Sequence, residues 1–251
     1  MSILCAEMGI IYFVFGCVEK YWNLVHRSLL SVRQHLPGVP ATLFTDQPGL
    51  AKGFDSVLTI PFKPEDARLG KIESMLQSPY QRTLFLDADT IVVGDISELF
   101  VLLEHFDLGA VHSGARGGAG VMSNVPSTFP EYNSGVIVFR RCRAVEDMLN
   151  AWKLLYLQCR VSYPKWANRK TGLHPDQPAF RAALYASRVR VATVPPEFNC
   201  RGHVGYLDGP IRLIHRSRSF DLGEFAAQLN EWTGSRIYRN RTIHWAAGRD
   251  K

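Results

Sequence analysis

Short apolar runs alternate with longer amphipathic stretches along the first half of the chain. Residues 10–15 are almost entirely apolar, which is typical of a strand buried on both faces. The next stretch repeats apolar side chains at helical spacing until Pro37-Gly38 ends it. Its inward positions are Tyr21, Leu24, Val25, Ser28, Leu29, Val32 and Leu36. The pattern then predicts strands at 41–45 and 56–60 and a short helix at 71–77. A further strand follows and ends at Asp87.

The second half keeps this alternation with longer helices. A strand at 135–140 precedes a long helix, whose apolar stripe runs from Val145 to Cys159. His174-Pro-Asp-Gln-Pro178 precedes another helix, and strands follow at 189–194 and at 211–214, directly before His215. The alternation predicts right-handed βαβ crossovers and an α/β fold with a mostly parallel central sheet, which binds ligands beyond the carboxyl ends of its strands.

Two connecting segments predict local structure. Asp95-Ile-Ser-Glu98 has the spacing of a capping box, so we expect Asp95 to cap a helix that extends to about Leu103. Residues 113–132 are rich in glycine, serine and proline and predict a long loop. Its stretch Gly114 to Gly120 lacks the Gly-Lys-Ser/Thr ending of a P-loop. Two interpretations stay open for this stretch, a mobile surface loop and a lid over the substrate.

Composition narrows the class of protein. With 251 residues and 46% hydrophobic content, the chain can bury one full core, and we expect a single domain. Its five cysteines are odd in number and lack Cys-x-x-Cys spacing, which argues against a disulfide framework and a zinc site. A formal charge of +6 favours anionic ligands, without the dense basic stripes of a nucleic-acid binder. The apolar stretch 9–18 is too short to span a bilayer, so we expect a cytoplasmic protein without a transmembrane segment.

The most informative segment places two carboxylates at the end of an apolar strand. In Phe-Leu-Asp87-Ala-Asp89-Thr, an extended backbone would put both aspartates on one face, about 6.5 Å apart at Cα. Mg²⁺ and Mn²⁺ prefer oxygen ligands and are commonly held by one or two carboxylates together with substrate phosphates. The segment therefore predicts a metal-bridged nucleotide, with a purely structural carboxylate as the alternative.

Five motifs in order resemble a known family. They are Phe-Leu-Asp87-Ala-Asp89-Thr, Tyr132-Asn-Ser-Gly-Val-Ile-Val-Phe139, Asp176-Gln177, Phe198-Asn199 and Ile211-Arg-Leu-Ile-His215. Together they resemble the metal-dependent, retaining GT-A glycosyltransferases of the glycogenin and lipopolysaccharide galactosyltransferase type, glycosyltransferase family 8. The resemblance implies a Rossmann-like GT-A fold in one domain over 1–251. Its parts would be a nucleotide-binding half at 1–112, a donor-sugar and acceptor half at 113–218, and a C-terminal helix with a basic tail at 219–251.

The resemblance also implies the cofactor and the binding residues. Mn²⁺, or Mg²⁺ in its place, would be held by Asp87, Asp89 and His215, and the donor would be a UDP-sugar. Asp176 would bind sugar hydroxyls, while Gln177 would stabilise the oxocarbenium-like centre or receive it transiently. Nucleotide-sugar contacts are implied for Phe15, Tyr21, Lys71, Asp87, Ala88, Asn133, Ser134, Asn199 and Arg218.

Several of these residues also have a plainer interpretation, which the sequence leaves open. His215 could be a hydrogen-bonded core residue, and Asp176 could cap the helix that follows it. Asn133 could form an Asx-turn that Gly135 permits. Tyr21 could pack in the core as part of the first helix.

The basic residues carry similar alternatives. Lys71 and Arg68 lie where relatives place a basic residue near the sugar nucleotide, but both could be solvated helix charges. The family commonly follows its histidine with a glycine and a Lys-Pro pair, whereas this chain reads His215-Arg-Ser-Arg-Ser219. Arg218 could supply the missing charge or be solvated. Asn199 could contact the acceptor or cap a turn.

The tail from 235 to 251 interleaves arginines with Tyr238 and Trp245. It could contact an anionic acceptor or, peripherally, a membrane surface, and it could equally be a solvated chain end. The sequence does not separate these interpretations.

Two other classes of function stay open. Leu84-Phe-Leu-Asp87-Ala-Asp89-Thr-Ile91 also matches the first motif of haloacid-dehalogenase-type phosphatases, in which Asp87 would be the nucleophile, Asp89 the general acid and base, and Mg²⁺ the cofactor. That family places its nucleophile on the first strand and continues with a lysine and an acidic pair, which this order of motifs does not match. A non-catalytic sugar-nucleotide-binding protein of the same fold is the third possibility.

The hypothesis that fits most of the sequence is a cytoplasmic, Mn²⁺-dependent hexosyltransferase that retains anomeric configuration. Its donor would be a nucleotide-diphosphate sugar, UDP-glucose or UDP-galactose, and its acceptor a carbohydrate, a glycolipid or a protein. Front-face transfer is favoured over two displacements, because a glutamine is a poor nucleophile beside a carboxylate.

Overall fold

A computed structural model describes residues 6–60, 67–113, 125–163, 175–201, 204–215, 222–232, 234–239 and 242–247. The α-helices of this part are α1 (Glu19–His35), α2 (Ala67–Leu76), α3 (Glu98–Val101), α4 (Arg143–Ser162), α5 (Gln177–Ala186) and α6 (Leu222–Asn230). Short 3-10 helices lie at Pro48–Leu50, Leu102–Glu104 and Pro196–Asn199. Within these ranges, no helix combines the length and the apolar character that a bilayer crossing requires.

A seven-stranded sheet forms the centre of the molecule. In spatial order its strands are β3 (Ser56–Thr59), β2 (Ala41–Thr45), β1 (Ala6–Val14), β4 (Tyr80–Leu86), β7 (Tyr132–Arg140), β6 (Leu108–His112) and β8 (Val191–Val194). Neighbouring strands are parallel except at β7, which runs antiparallel to both β4 and β6. The predicted mostly parallel α/β sheet is therefore confirmed. Ile10 of β1 pairs with Leu84 of β4, so the carboxyl end of β4 emerges at the middle of the sheet.

Two small sheets lie beside the central one. In the first, β11 (Leu213–His215) lies between β5 (Thr90–Val92) and β9 (Cys200–Arg201). Its pairing with β5 is antiparallel, with His215 opposite Thr90. The second contains β10 (Val204–Leu207), β12 (Arg236–Arg239) and β13 (Thr242–Ala246). The first small sheet thus brings the end of β11 against β5, which directly follows Asp89.

Helices cover both faces of the central sheet. Successive residues of a strand point to opposite sides, so neighbouring residues of β1 pack against different helices. On one face, α1 and α3 pack against Ile10 and Tyr12 of β1. On the other face, α2, α4 and α5 pack around Ile11. Trp152 of α4 and Phe180 of α5 lie there with ring centroids 4.4 Å apart. This double coverage explains why β1 is apolar at every position from Ile10 to Val14.

The structure corrects the predicted capping box. A capping box would make Asp95 the N-cap and Glu98 the third helical residue. Helix α3 instead begins at Glu98, with Ser97 as its N-cap. Asp95 instead accepts hydrogen bonds from the Ser97 backbone N–H at 2.8 Å and from the Ser97 hydroxyl at 3.1 Å. The side chain of Asp95 therefore forms an Asx-turn ahead of the helix, which competes with capping. The helical chain does reach the predicted end, since a 3-10 helix continues through Leu102–Glu104.

The chain end also differs from the solvated tail that its composition suggested. Two strands, β12 and β13, form within it. In β12, buried Arg236 and Tyr238 alternate with exposed Ile237 and Arg239, which is the period-two pattern of a half-buried strand. The basic composition concealed this alternation. The stretch from Gly114 to Gly120, interpreted as a loop or a lid, lies outside the described residues.

An ion cluster around the buried carboxylate of Asp107 ties three neighbouring strands together at one end of the sheet. The carboxylate of Asp107, which precedes β6, accepts hydrogen bonds from Arg140 Nε at 2.8 Å and from the backbone N–H of Arg190 at 2.9 Å. Burial alone would raise the pKa of Asp107, but hydrogen bonds from Arg190 and Arg140 outweigh it and lower the pKa to about 2.

Asp107 is therefore expected to stabilise the fold in a pH-dependent way. Its folded pKa lies below the unfolded value of about 3.9, so its contribution is present above that value and is lost as the pH falls towards 2. D107N should lower the urea midpoint at pH 7 and reduce the loss of stability between about pH 4 and pH 2. D147N, which changes an exposed carboxylate paired with Arg143, is the control. Equal midpoints for D107N and the wild type at pH 7 would contradict this role.

Candidate metal centre and donor site

A turn at the carboxyl end of β4 presents the two aspartates. The backbone carbonyl of Asp87 accepts hydrogen bonds from the Thr90 backbone N–H at 3.1 Å and from the Thr90 hydroxyl at 2.9 Å. The Thr90 hydroxyl also lies 2.9 Å from that of Ser28 on α1. The expected extended backbone from Asp87 to Asp89 is therefore wrong. The carboxylates converge because a buried threonine closes a turn beneath them.

His215 completes a group of three ligands. Because β11 pairs with β5, Nε2 of His215 lies 3.5 Å from Asp87 Oδ2 and 3.4 Å from Asp89 Oδ1. One ligand atom from each of the three residues lies within 4.8 Å of the other two. Asp89 and His215 are each only 4% exposed. The structure thus brings together the three side chains that the sequence predicts as metal ligands.

The surroundings fit a divalent ion. Gly135 of β7 lies so close to the ligands that a Cβ there would be 2.1 Å from His215 Cε1 and 2.8 Å from Asp87 Oδ2. Gly135 is thus required by close approach within a strand, and the interpretation that it merely permits a turn is wrong. Two carboxylate oxygens and one imidazole nitrogen are a donor set suited to Mn²⁺ and related divalent metals.

Lys71 lies at the centre of the acidic group. From α2 its Nζ reaches Asp87 Oδ1 at 3.3 Å, Asp176 Oδ2 at 3.2 Å and Ser134 Oγ at 3.1 Å. Its side chain is 4% exposed, so the solvated-charge interpretation is wrong for Lys71. Arg68, one helical turn earlier, is 37% exposed and lies 3.9 Å from Asp176. Of the two predicted basic residues, Lys71 is buried between Asp87 and Asp176, and Arg68 lies beside Asp176.

Charge compensation holds these groups in their ionised forms. Burial alone would raise the pKa of Asp87, but Lys71 and His215 outweigh it and lower that pKa. The pKa of Asp176 is likewise lowered, because Lys71 and Arg68 outweigh the effect of burial. Burial would lower the pKa of His215, but hydrogen bonds to Asp87 and Asp89 raise it. The centre therefore presents carboxylates with a compensating cation beside them.

Asp176 lies at the start of α5, where its backbone carbonyl and its side-chain carboxylate have different partners. Its backbone carbonyl accepts hydrogen bonds from the Phe180 backbone N–H at 3.0 Å and from Trp152 Nε1 at 3.1 Å. Its carboxylate makes no capping hydrogen bond to α5 and instead accepts one from Ser134 Oγ at 2.9 Å, beside Lys71. The capping interpretation of the Asp176 side chain is therefore wrong.

Three side-chain amides connect α5 to the histidine. Asn133 Nδ2 donates to Gln177 Oε1 at 2.7 Å, and Asn199 Nδ2 donates to Asn133 Oδ1 at 2.8 Å. Asn199 Oδ1 lies 3.0 Å from His215 Nδ1. Asn133 Oδ1 also accepts from the Gly135 N–H at 3.0 Å, the bond expected of an Asx-turn, although both residues lie within strand β7. Gln177, Asn133 and Asn199 thus share one network with the metal centre.

The other predicted contact residues lie at the edge of this group. Ala88 is the middle residue between the two aspartates and packs against the core, as does Tyr21 of α1. Phe15 directly follows β1 and is half-buried. Arg218 lies outside the described residues. Contact of Phe15, Tyr21 and Ala88 with a nucleotide sugar stays a prediction.

The sequence interpretation missed Glu131. This residue immediately precedes β7, is buried, and accepts a hydrogen bond from Gln177 Nε2 at 2.8 Å. The only available signal is its place two residues before Asn133, in a segment read as loop. A single acid at the end of a polar loop carries no pattern of its own.

Comparisons with known proteins agree with this architecture. A scan against protein-family models gives no match, and neither does a search of curated proteins. Among solved structures, an active-site variant of LgtC with a glutamine changed to glutamate is similar, with a TM-score of 0.57 and 13% sequence identity. The match covers 88% of this chain and 95% of LgtC, a lipopolysaccharide galactosyltransferase. The chain has a Rossmann-like GT-A fold. At this level of identity, the likeness shows the fold alone.

Lys71 offers a direct test of the charge balance in this GT-A-like site. K71M removes the cation shared by Asp87 and Asp176, and loss of one partner of a buried pair is expected to cost about 3 kcal/mol. Urea unfolding at pH 7 measures this cost. K153M is the matched control, because Lys153 pairs with Glu73 across α2 and α4 and is itself 36% exposed; this variant should cost less than about 1 kcal/mol.

The double variant K71M/D176N separates charge from packing. Removing the unpaired carboxylate should recover part of the stability that K71M loses, because less buried charge then lacks a partner. Stability of K71M equal to that of the wild type would show that Lys71 does not balance the acidic group.

Proposed function

We propose that the chain is a Mn²⁺-dependent glycosyltransferase that moves a hexose from UDP-glucose or UDP-galactose, with retention of anomeric configuration. Its acceptor would be a carbohydrate, a glycolipid or a protein. The observation that carries the proposal is the convergence of Asp87, Asp89 and His215, with one ligand atom from each within 4.8 Å of the others. This group lies beyond the carboxyl end of a central strand, where α/β proteins bind nucleotides.

The three ligands would hold Mn²⁺ in preference to Mg²⁺, because one of them is an imidazole nitrogen. When bound, the ion supplies Lewis-acid chemistry and stabilises the negative charge that the departing diphosphate acquires. Asp87 and Asp89 contribute carboxylate oxygens. His215 contributes Nε2, while its Nδ1 is held by Asn199 at 3.0 Å.

Lys71 and Asp176 would serve the donor sugar. The Lys71 ammonium lowers the pKa of Asp176 and so keeps that carboxylate ionised despite its burial. An ionised carboxylate accepts strong hydrogen bonds, which suits the hydroxyls of a sugar. Because Lys71 bonds to both Asp87 and Asp176, it also fixes the sugar side of the site relative to the metal side.

Gln177 is suited to stabilise the reacting sugar by its dipole. Its amide oxygen accepts from Asn133 and its amide nitrogen donates to Glu131, so both ends of the group are held in place. A positioned carbonyl oxygen stabilises the positive charge that grows on the sugar ring. An amide held in this way is a weak nucleophile, which favours front-face transfer over a covalent intermediate.

The phosphatase alternative gains little from these observations. Lys71 beside Asp87 is a feature that it could share, but the third member of the ligand group among the described residues is a histidine. Asp87 is also engaged by Lys71 and His215 together. The contact with His215 suits a metal ligand better than a nucleophile that must attack phosphorus.

A donor panel tests the proposal. Purified protein is incubated with Mn²⁺ and one nucleotide sugar at a time, with and without simple sugar acceptors, and nucleotide release is measured. We expect UDP release from UDP-glucose or UDP-galactose, and a fall of about 100-fold or more in D89A, because the leaving group loses electrostatic stabilisation. D147N, an exposed carboxylate variant, should match the wild type.

Three outcomes would overturn this function. Release from no nucleotide sugar would reject transfer, and donor binding without release would indicate a binding protein of the same fold. Phosphate release from p-nitrophenyl phosphate with Mg²⁺ would indicate the phosphatase. Product anomers, assigned by NMR, decide retention against inversion.

A further inference from the structure

Glu131 is a buried acid that the proposed function leaves without a role. Its side chain is 2% exposed, and Oε1 accepts the hydrogen bond from Gln177 Nε2. Its other oxygen, Oε2, has no hydrogen-bond partner among the residues that the structure describes. Burial of a carboxylate costs free energy, so this placement needs a physical reason.

A row of hydrogen bonds leads from Glu131 to the metal centre. It passes through the amides of Gln177, Asn133 and Asn199, with successive distances of 2.8, 2.7 and 2.8 Å, and ends at His215 Nδ1 after a further 3.0 Å. Three side-chain amides therefore join a carboxylate to a metal-binding imidazole. The row crosses from α5 through β7 to β11.

Two groups, one that can only accept and one that can only donate, set the direction of the hydrogen bonds in this row. A carboxylate only accepts, so Gln177 must present its NH₂ group to Glu131. The Gly135 backbone N–H only donates, so Asn133 must keep its oxygen towards Gly135 and its NH₂ group towards Gln177. The two constraints agree. Every donor in the row points towards Glu131.

This direction determines the tautomer of the histidine. Asn199 donates its NH₂ group to Asn133, so only its oxygen remains for His215. His215 must then carry a proton on Nδ1, so Nε2 is the nitrogen available to a metal ion. That nitrogen is the one that faces Asp87 and Asp89.

We propose that Glu131 is a positioning residue for the metal centre. Metal-binding histidines often donate their second N–H to a carboxylate, and here Glu131 would take that part from a distance, through three side-chain amides. Aligned hydrogen bonds polarise one another, so an anion at one end strengthens the bond that Asn199 accepts from His215 Nδ1–H. Stronger donation through Nδ1 makes Nε2 a better ligand. The inference rests on the proposed metal-dependent function, because it concerns the same histidine.

Mn²⁺ affinity, measured by calorimetry without any sugar nucleotide, tests the proposal. E131Q keeps the size of the side chain and removes the charge. We expect Mn²⁺ affinity to fall by about threefold to tenfold, less than the roughly 10-fold to 100-fold typical of a carboxylate bonded directly to a ligating histidine. N199A breaks the row beside His215 and should cause the larger loss.

The double variant E131Q/N199A distinguishes coupling from general damage. If Glu131 acts through the row, E131Q has no further effect once Asn199 is removed, whereas independent effects would multiply. E197Q is the matched control, because Glu197 is another buried carboxylate that accepts hydrogen bonds, from the N–H groups of Asp208 and Gly209, outside the row. We expect E197Q to bind Mn²⁺ as the wild type does.

NMR of the metal-free protein gives a readout that needs neither metal nor sugar. His215 should show an N–H proton on Nδ1, bonded to Asn199, and E131Q should shift that proton upfield as its hydrogen bond weakens. Unchanged Mn²⁺ affinity and an unchanged His215 signal in E131Q would overturn this inference alone. If E131Q weakens Mn²⁺ binding through Asn199 as expected, but no donor releases UDP, only the proposed transfer would be overturned.

Discussion

A three-residue antiparallel pairing holds the candidate site together. It places His215 of β11 opposite Thr90 of β5, and Thr90 in turn closes the turn that carries Asp87. A ligand that lies more than a hundred residues further along the chain is thereby fixed beside the aspartates. The geometry of the centre consequently depends on strand register, because a slip of one residue would turn the histidine to the opposite face of its sheet.

Charge balance is the second constraint, and it links stability to function. Asp87 and Asp176 are ionised in a largely buried setting because Lys71 lies between them. Such clusters cost stability unless each charge has a partner, and proteins retain them where chemistry needs them. The central sheet is covered on both faces, and it holds this arrangement beyond the carboxyl end of its middle strand, β4. The amide row behind His215 extends the same logic, since it satisfies polar groups while orienting a ligand.

Periodicity and local motifs account for what the sequence could predict. Strand β1, helix α1 and helix α4 have strong apolar patterns, and the two aspartates stand in a short motif that can be read without the fold. The burial of Lys71 could not be predicted, because a lysine at helical spacing looks the same whether it faces solvent or a carboxylate. The turn after Leu86 depends on the hydroxyl of Thr90, and the need for Gly135 arises only when a late histidine packs against it. Tertiary proximity decides each of these cases.

The proposed function requires that Asp87, Asp89 and His215 bind one divalent ion together. Pulsed EPR of the Mn²⁺-loaded protein tests it most directly, because a directly bound imidazole nitrogen gives a hyperfine coupling that carboxylate oxygens do not. We expect one such nitrogen coupling in the wild type and its loss in H215A. Mn²⁺ bound without a histidine nitrogen, or with an unchanged nitrogen coupling in H215A, would contradict it.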